Sequence, residues 1–224
     1  MKRIILILTL FISVAAIAQK NVEKKVGEFT ELKVYDLIEV NLIKSDENKI
    51  VVLGKNTNEV EFINKNGILK IRMELEKIFN GNNTKVNLYY TGVDVIDGNE
   101  GAYIHSEDEI QQFEIDLNAQ EGAFIKVKLD VTYANIRSVT GSTVQAYGTA
   151  KHQDISIYTG GIYKGEHLTT EFTDVAIRAA GEAHINASTL VNAKVRVGGD
   201  IYIYGNPERV DESRVLGGRI KRMD

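Results

Sequence analysis

The sequence predicts an all-β fold, a parallel β-solenoid of coils about 20 residues long preceded by a region of conventional strands, and three observations predict it. Glycine recurs at a nearly constant interval, at Gly101, Gly122, Gly141, Gly161, Gly181 and Gly199. The text around those glycines repeats as well, as in Asp154-Ile-Ser-Ile-Tyr-Thr-Gly-Gly161, Asp174-Val-Ala-Ile-Arg-Ala-Ala-Gly181 and Asn192-Ala-Lys-Val-Arg-Val-Gly-Gly199. The composition is that of a β protein, with 19 Gly, one Pro and many Val and Ile in short runs. No segment keeps a helical period over three turns; the best, Met73 to Phe79, is too short.

The chain opens as an export signal. Lys2 and Arg3 precede an apolar run from Ile4 to Ile17, and Ala16-Ile17-Ala18 supplies a small-residue cleavage pattern just before Gln19. That run is shorter than the roughly 20 residues a bilayer-spanning helix needs, so it reads as a signal peptide over residues 1–18, with no membrane insertion after cleavage. No Cys is present to carry a lipid anchor or a disulfide framework, leaving burial and backbone hydrogen bonds to hold the exported fold. Loss of Lys2 and Arg3 moves the formal net charge from −4 to −6. This acidic balance argues against a nucleic-acid partner, and the expected location is the periplasm, the outer surface or the medium.

Residues 19–93 read as an N-terminal strand and capping region. Phe29 to Tyr35 and Ile38 to Ile43 alternate apolar with polar residues, Ile50 to Leu53 is a short apolar run, and Lys85 to Tyr90 is a further strand. Between Val60 to Ile63 and Ile68 to Met73, the Asn66-Gly67 step can supply the positive φ angles of a hairpin. Residues 94–224 carry the repeat, each unit being a short strand, a glycine turn and a second short strand. Such a unit cannot bury an apolar face alone, whereas stacked units give every inward residue an equivalent neighbour. Ile155, Val175 and Ala193 should form one inward file and Ile157, Ile177 and Val195 the next, with Ser156, Tyr158, Ala176, Arg178, Lys194 and Arg196 facing out. An antiparallel sandwich also has short strands and regular turns, but has no reason to repeat residue types at fixed offsets over six units.

The turns Thr159-Gly160-Gly161, Ala179-Ala180-Gly181-Glu182, Val197-Gly198-Gly199-Asp200 and Leu216-Gly217-Gly218, and the closing run from Gly199 through Gly205-Asn206-Pro207 to a basic tail, resemble the bacterial auto-transporter adhesin family with a head GIN domain. Phe29 to Val34 and Gly67 to Ile71 are similar to the start of that family, while Gln120-Glu-Gly122 and Val139-Thr-Gly141 depart from its Ser-Gly-Ser-Gly turns. The resemblance spans nearly the whole mature chain. It implies a right-handed β-helix like that of pectin lyases without their catalytic residues, a role in cell adhesion and a capacity for self-association as a homo-oligomer. No binding residues come with it.

The residues offer little chemistry of their own. Asp154 and Asp174, with Asn192 one coil on and Asp94 far earlier, should lie at one corner, where paired carboxylates could serve glycoside hydrolysis; turn residues bonding to nearby backbone explain them as well. His105, His152, His167 and His184 fall at unrelated places in the repeat, and Asp94 to Glu100 matches no calcium-loop spacing. No helix follows Gly160-Gly161 or Gly198-Gly199 to make a phosphate site. No metal or cofactor is expected. Tyr147, Tyr202 and Tyr204 are the binding candidates, as outward aromatics on a rigid face that could stack on a glycan or anchor a protein. The sequence therefore points to an exported, non-catalytic binding or structural protein of the envelope; the alternative is a polysaccharide lyase or glycoside hydrolase on the same scaffold. If the leader is read correctly, protein purified from its host begins at Gln19, and N-terminal sequencing that recovers Met1 from the membrane fraction contradicts it.

Overall fold

The computed structural model describes residues 22–223; the leader predicted over residues 1–18 and its predicted Ala18/Gln19 junction lie outside the described residues. Among the described residues sixteen strands form one continuous sheet. The first eight are short: β1 (Val22–Lys25), β2 (Glu31–Val34), β3 (Glu39–Lys44), β4 (Lys49–Gly54), β5 (Val60–Lys65), β6 (Ile68–Met73), β7 (Thr84–Tyr90) and β8 (Val95–Gly98). The next five are long: β9 (Tyr103–Ala119), β10 (Phe124–Val139), β11 (Thr143–Tyr158), β12 (Ile162–Ile177) and β13 (Glu182–Val197). Then come β14 (Asp200–Tyr204), β15 (Arg209–Leu216) and β16 (Arg219–Arg222). The only helical pieces described are 3₁₀ turns at Thr57–Glu59 and Leu75–Lys77.

The architecture is a β-solenoid of parallel coils of about 19 residues. Strands β9 to β13 pair in parallel, each with the next, and β13 continues onto β14 and β15. A coil is one long strand that bends rather than two short strands. In β10 the buried positions run Ile125, Val127, Leu129, Val131 and then Ala134, Ile136, Ser138, so the in-out alternation changes phase at Thr132 and Tyr133. The predicted files hold: Ile155 pairs with Val175 and Val175 with Ala193, Ile157 with Ile177 and Ile177 with Val195, and all six are buried.

Parallel stacking extends into residues 19–93. Strands β2 and β3 add to β8 and β9, and β6 and β7 lie outside them in turn. Spatial order therefore departs from chain order. Antiparallel β5 on β6, through the Asn66-Gly67 hairpin, with β4 on β7 and β1 on β4, closes that end.

The turn glycines fall into two files, and in the turn at Gly160-Gly161 the two positions have different physical roles. Backbone bonds from Gly101 to Glu121, Gly122 to Thr140, Gly141 to Thr159, Gly160 to Ala179 and Gly198 to Leu216 align one file. Gly161, Gly181 and Gly199 belong to the next position, level with Ala102, Ala123 and Ser142. Gly160 is needed for its φ of 74°, because a Cβ there would meet nothing. At Gly161 the φ is ordinary, but a Cβ would come within 2.3 Å of the Ser138 carbonyl oxygen of the preceding coil. The spacing of glycines in the sequence mixes the two kinds.

True coil lengths, from one turn to the next, differ, and the differences surface as register shifts. The coil from Gly101 to Gly122 is longer than the one that follows it to Gly141, and the excess sits between His105 and Glu109, opposite Lys126 and Lys128. Strands β10 and β11 belong to coils of equal length and pair without a shift. Later shifts lie at Gln145/Tyr147, Gly165/Thr169 and Thr170/Phe172. All of them fall between a turn and the mid-coil bend or, at Thr170/Phe172, on the bend itself, so the buried file beyond the bend stays in step.

This packing sets the effect of substitutions on stability. Ile177→Asp buries an unpaired charge and should lower stability by several kcal/mol, on the order of 3, whereas Arg178→Asp on the exposed side should change it little; equal shifts in urea midpoint would refute the register. Gly160→Ala should cost on the order of 1 kcal/mol for its backbone conformation, and Gly161→Ala more than that, because a backbone carbonyl must move; the reverse order would refute the assignment of the two files.

Candidate functional site

The outward side chains of successive coils stack as regularly as the inward ones. At the mid-coil bend this produces an aromatic ridge. Tyr133 pairs in register with His152 and His152 with Phe172, their ring centroids 4.8 Å apart and the planes within 14° of parallel. Phe113 extends the row, 5.3 Å from Tyr133 and tilted by 60°, because its strand is offset by one residue and Glu114 is the register partner of Tyr133. Phe113 is 68% exposed and Tyr133 37%. Tyr133, His152 and Phe172 cover one another's faces and turn their ring edges to solvent, while the tilted Phe113 ring stays more open. Along the chain the four residues recur with the same period as the glycines. Sequence reasoning missed the row because four positions filled by Phe, Tyr, His and Phe do not look like one motif.

The three predicted tyrosines all point outward, since Val144, Ala146, Ile201 and Ile203 are buried beside them. They do not form one site. Tyr147 stands level with Lys128 and His167, three coils before Tyr202 and Tyr204. One face of the Tyr202 ring stacks on His184 at 4.6 Å, and the Lys221 ammonium lies 5.6 Å from its centroid. Tyr204 hydroxyl contacts His184 Nδ1 at 3.3 Å, and His184 Nε2 lies 2.7 Å from Glu182. A sugar ring would find the Tyr202 face already stacked.

A polar file runs beside the ridge. Asp116, Asn135, Asp154, Asp174, Asn192 and Asp211 are register partners on successive coils. Asp94 is not among them; Val95 takes the equivalent place, because Val95 pairs with Asp116. Asn135 donates to both Glu114 and Asp116 at 2.8 Å, and Asn192 donates to Asp174 at 2.9 Å. Asparagine between carboxylates relieves the repulsion of a like-charge stack. Asp154 and Asp174 are adjacent without such a spacer, and partial desolvation together with the Asp174 charge holds the Asp154 carboxyl above its usual range. Arg178 and Lys194 line the same shallow depression. These basic residues escape a search at the aspartate offset, since they stand two or four positions further along their strands.

The remaining candidates are accounted for by neighbours. Asp97 accepts from Lys33 at 3.0 Å and from Asn99 at 3.1 Å, and Asn99 is buried, so the Asp94 to Glu100 run is part of the stacked turn. His105 and His184 share one file four coils apart, which unequal coil lengths hid in the sequence. Among the described residues no three His, Asp or Glu side chains gather as metal ligands.

Solved structures with this fold include a "putative adhesin" from Bacteroides fragilis, with a TM-score of 0.84 at 18% identity over 91% of this chain and 96% of that one. Another, from Parabacteroides merdae, has a TM-score of 0.71 at 15% identity, covering 92% and 96%. A "putative lipid binding protein" from Parabacteroides distasonis has a TM-score of 0.70 at 14% identity over the same shares. No curated protein matches the chain. The family model described as "Putative auto-transporter adhesin, head GIN domain" matches residues 28–207, and with the stacked turns and files described above the chain belongs to that family.

Proposed function

We propose that this chain is an exported, non-catalytic adhesive protein, and that the ridge of Phe113, Tyr133, His152 and Phe172 is the surface it presents to a protein partner. The ridge carries this reading. It is a line of rings along the side of the stack, where Phe113 and Tyr133 are exposed, and large aromatics held rigid by their neighbours lose little conformational freedom on binding. Because the Tyr133, His152 and Phe172 rings cover one another's faces, edge contacts with an apolar protein surface suit the row better than the face-on stacking that sugars use. The adhesin names of the family and of its structural neighbours support adhesion as the role, and the leader supports export.

One arrangement favours the enzyme alternative. Asp154 and Asp174 stand side by side with Arg178 and Lys194 around a shallow depression, a carboxylate-and-cation set of the kind polysaccharide cleavage requires. Asn192 already engages Asp174, and the depression is too shallow to exclude water.

Surface-immobilised chain, probed with arrays of matrix and cell-surface proteins and of glycans, separates the readings. Phe113→Ser with Tyr133→Ser should reduce protein capture about tenfold or more and leave the melting temperature nearly unchanged. Product release from pectin or alginate should be absent. Capture of glycans that survives the double substitution would overturn the ridge assignment, and turnover abolished by Asp154→Asn with Asp174→Asn would replace adhesion by catalysis.

A further inference from the structure

Two exposed apolar patches lie at opposite ends of the stack and on the same edge of it. The first is the loop between β6 and β7, where Leu75, Ile78 and Phe79 are 68%, 48% and 58% exposed. Hydrogen bonds to the backbone hold this loop out. The buried Asp36 carboxylate accepts from Met73 N and from Phe79 N, both at 3.0 Å, gripping the loop at its two ends. Inside it Lys77 N donates to the Glu74 carbonyl at 2.8 Å and Asn80 N to that of Lys77 at 3.0 Å. Phe79 sits at φ 61°, a conformation bulky residues rarely adopt. Large apolar side chains kept in water by a rigid support mark an interaction surface. Lys77 is within 3.6 Å of Glu59, and Lys70 lines the cleft beside Leu75 and Ile78, while Glu74 and Glu76 on the loop itself are exposed and have no ion pair among the described residues, so the loop is apolar and its own unpaired charges are negative.

The second patch is at the other end, where Val197, Val215 and Leu216 are 50%, 68% and 65% exposed. They line an open groove with Lys194 and Arg196, both exposed and without an ion pair among the described residues. This patch is apolar with a positive rim. The row of turns connects the two places: Gly81 N donates to Asp36, Leu37 N to Glu100, Gly101 N to Glu121, and so on to Gly198 N and Leu216. Direct strand addition at this end is opposed, because Glu212 and Arg214 occupy the inward files above Ala193 and Val195 and end the aliphatic core on charges. The contact must therefore use the groove on the outer side.

We propose that the partner of each patch is a second copy of this chain: the loop from Glu74 to Phe79 of one molecule seats in the groove of the next, with Glu74 and Glu76 meeting Lys194 and Arg196. The contact joins two different surfaces, so it does not close on itself as an isologous dimer does and it propagates head to tail. It does not use the aromatic ridge, and it shares only Lys194 with the depression beside the aspartate file, so it stands or falls apart from the adhesion reading.

Charge reversal tests it. Light scattering and sedimentation velocity on the purified chain should show a mass that rises past the dimer with concentration and falls with salt. Glu74→Lys with Glu76→Lys should weaken association about tenfold or more, as should Lys194→Glu with Arg196→Glu, with circular dichroism unchanged. Mixing the two reversed proteins should restore assembly, since each loop then faces a groove of opposite sign. A chain that stays monomeric at all concentrations, a dimer that grows no further, assembly indifferent to either reversal, or a mixture that stays monomeric would each overturn the proposal. Vesicle binding that depends on Leu75 and Phe79 without self-association would overturn it too, and would name a lipid surface as the occupant.

Discussion

Everything in this molecule depends on successive coils keeping one backbone register. A coil of about 19 residues encloses too few side chains to make a core, and its amide groups find partners only in the coils on either side. A slip of one residue would turn each inward file outward. Coil length nevertheless varies between turns, and the register shifts show how the variation is tolerated. Differences in length are taken up between a turn and the mid-coil bend, on the stretch around Lys126, Gln145 and Gly165, and at the bend itself by Phe172, while the file through Ile136, Ile155, Val175 and Ala193 runs unbroken.

The same constraint explains what could be read in the sequence. Inward files such as Ile157, Ile177 and Val195 were legible because β-branched residues and alanine recur at one offset and alternation fixes their direction. The hairpin at Asn66-Gly67 was legible from its turn chemistry. Gly160 and Gly161 looked interchangeable, since one is required by φ and the other by the Ser138 carbonyl, and only coordinates separate these causes. The placement of β2 and β3 between β6–β7 and β8–β9 was hidden because pairing there does not follow chain order. Nor did alternation reveal that Gln153, Thr170 and Thr173 would be buried around the Tyr163 hydroxyl, which donates to Gln153 at 2.9 Å. That buried group replaces aliphatic packing with mutually satisfied hydrogen bonds.

The surface follows from the core. Once coils repeat, any outward residue type placed at one offset becomes a line along the solenoid, whether aromatic, as from Tyr133 to Phe172, or carboxylate and amide, as from Asp116 to Asp211. Rings in such a line stack at the strand spacing and support one another; carboxylates repel unless an asparagine stands between them. A solenoid thus converts small sequence changes into extended rigid features suited to broad contact, while a deep enclosed pocket is harder to build on it.

Cross-linking tests the register most directly, and a chain without cysteine makes the test clean. Ser156 and Ala176 are outward partners on adjacent coils, and Lys194 lies one coil beyond Ala176. Adjacent strands place such partners about 4.8 Å apart, within the range a disulfide spans, and a second coil doubles the distance beyond that range. Ser156→Cys with Ala176→Cys should oxidise to one intramolecular disulfide at full yield, and Ser156→Cys with Lys194→Cys should stay reduced. Failure of the first pair, or ready bridging of the second, would contradict the stacked-coil account.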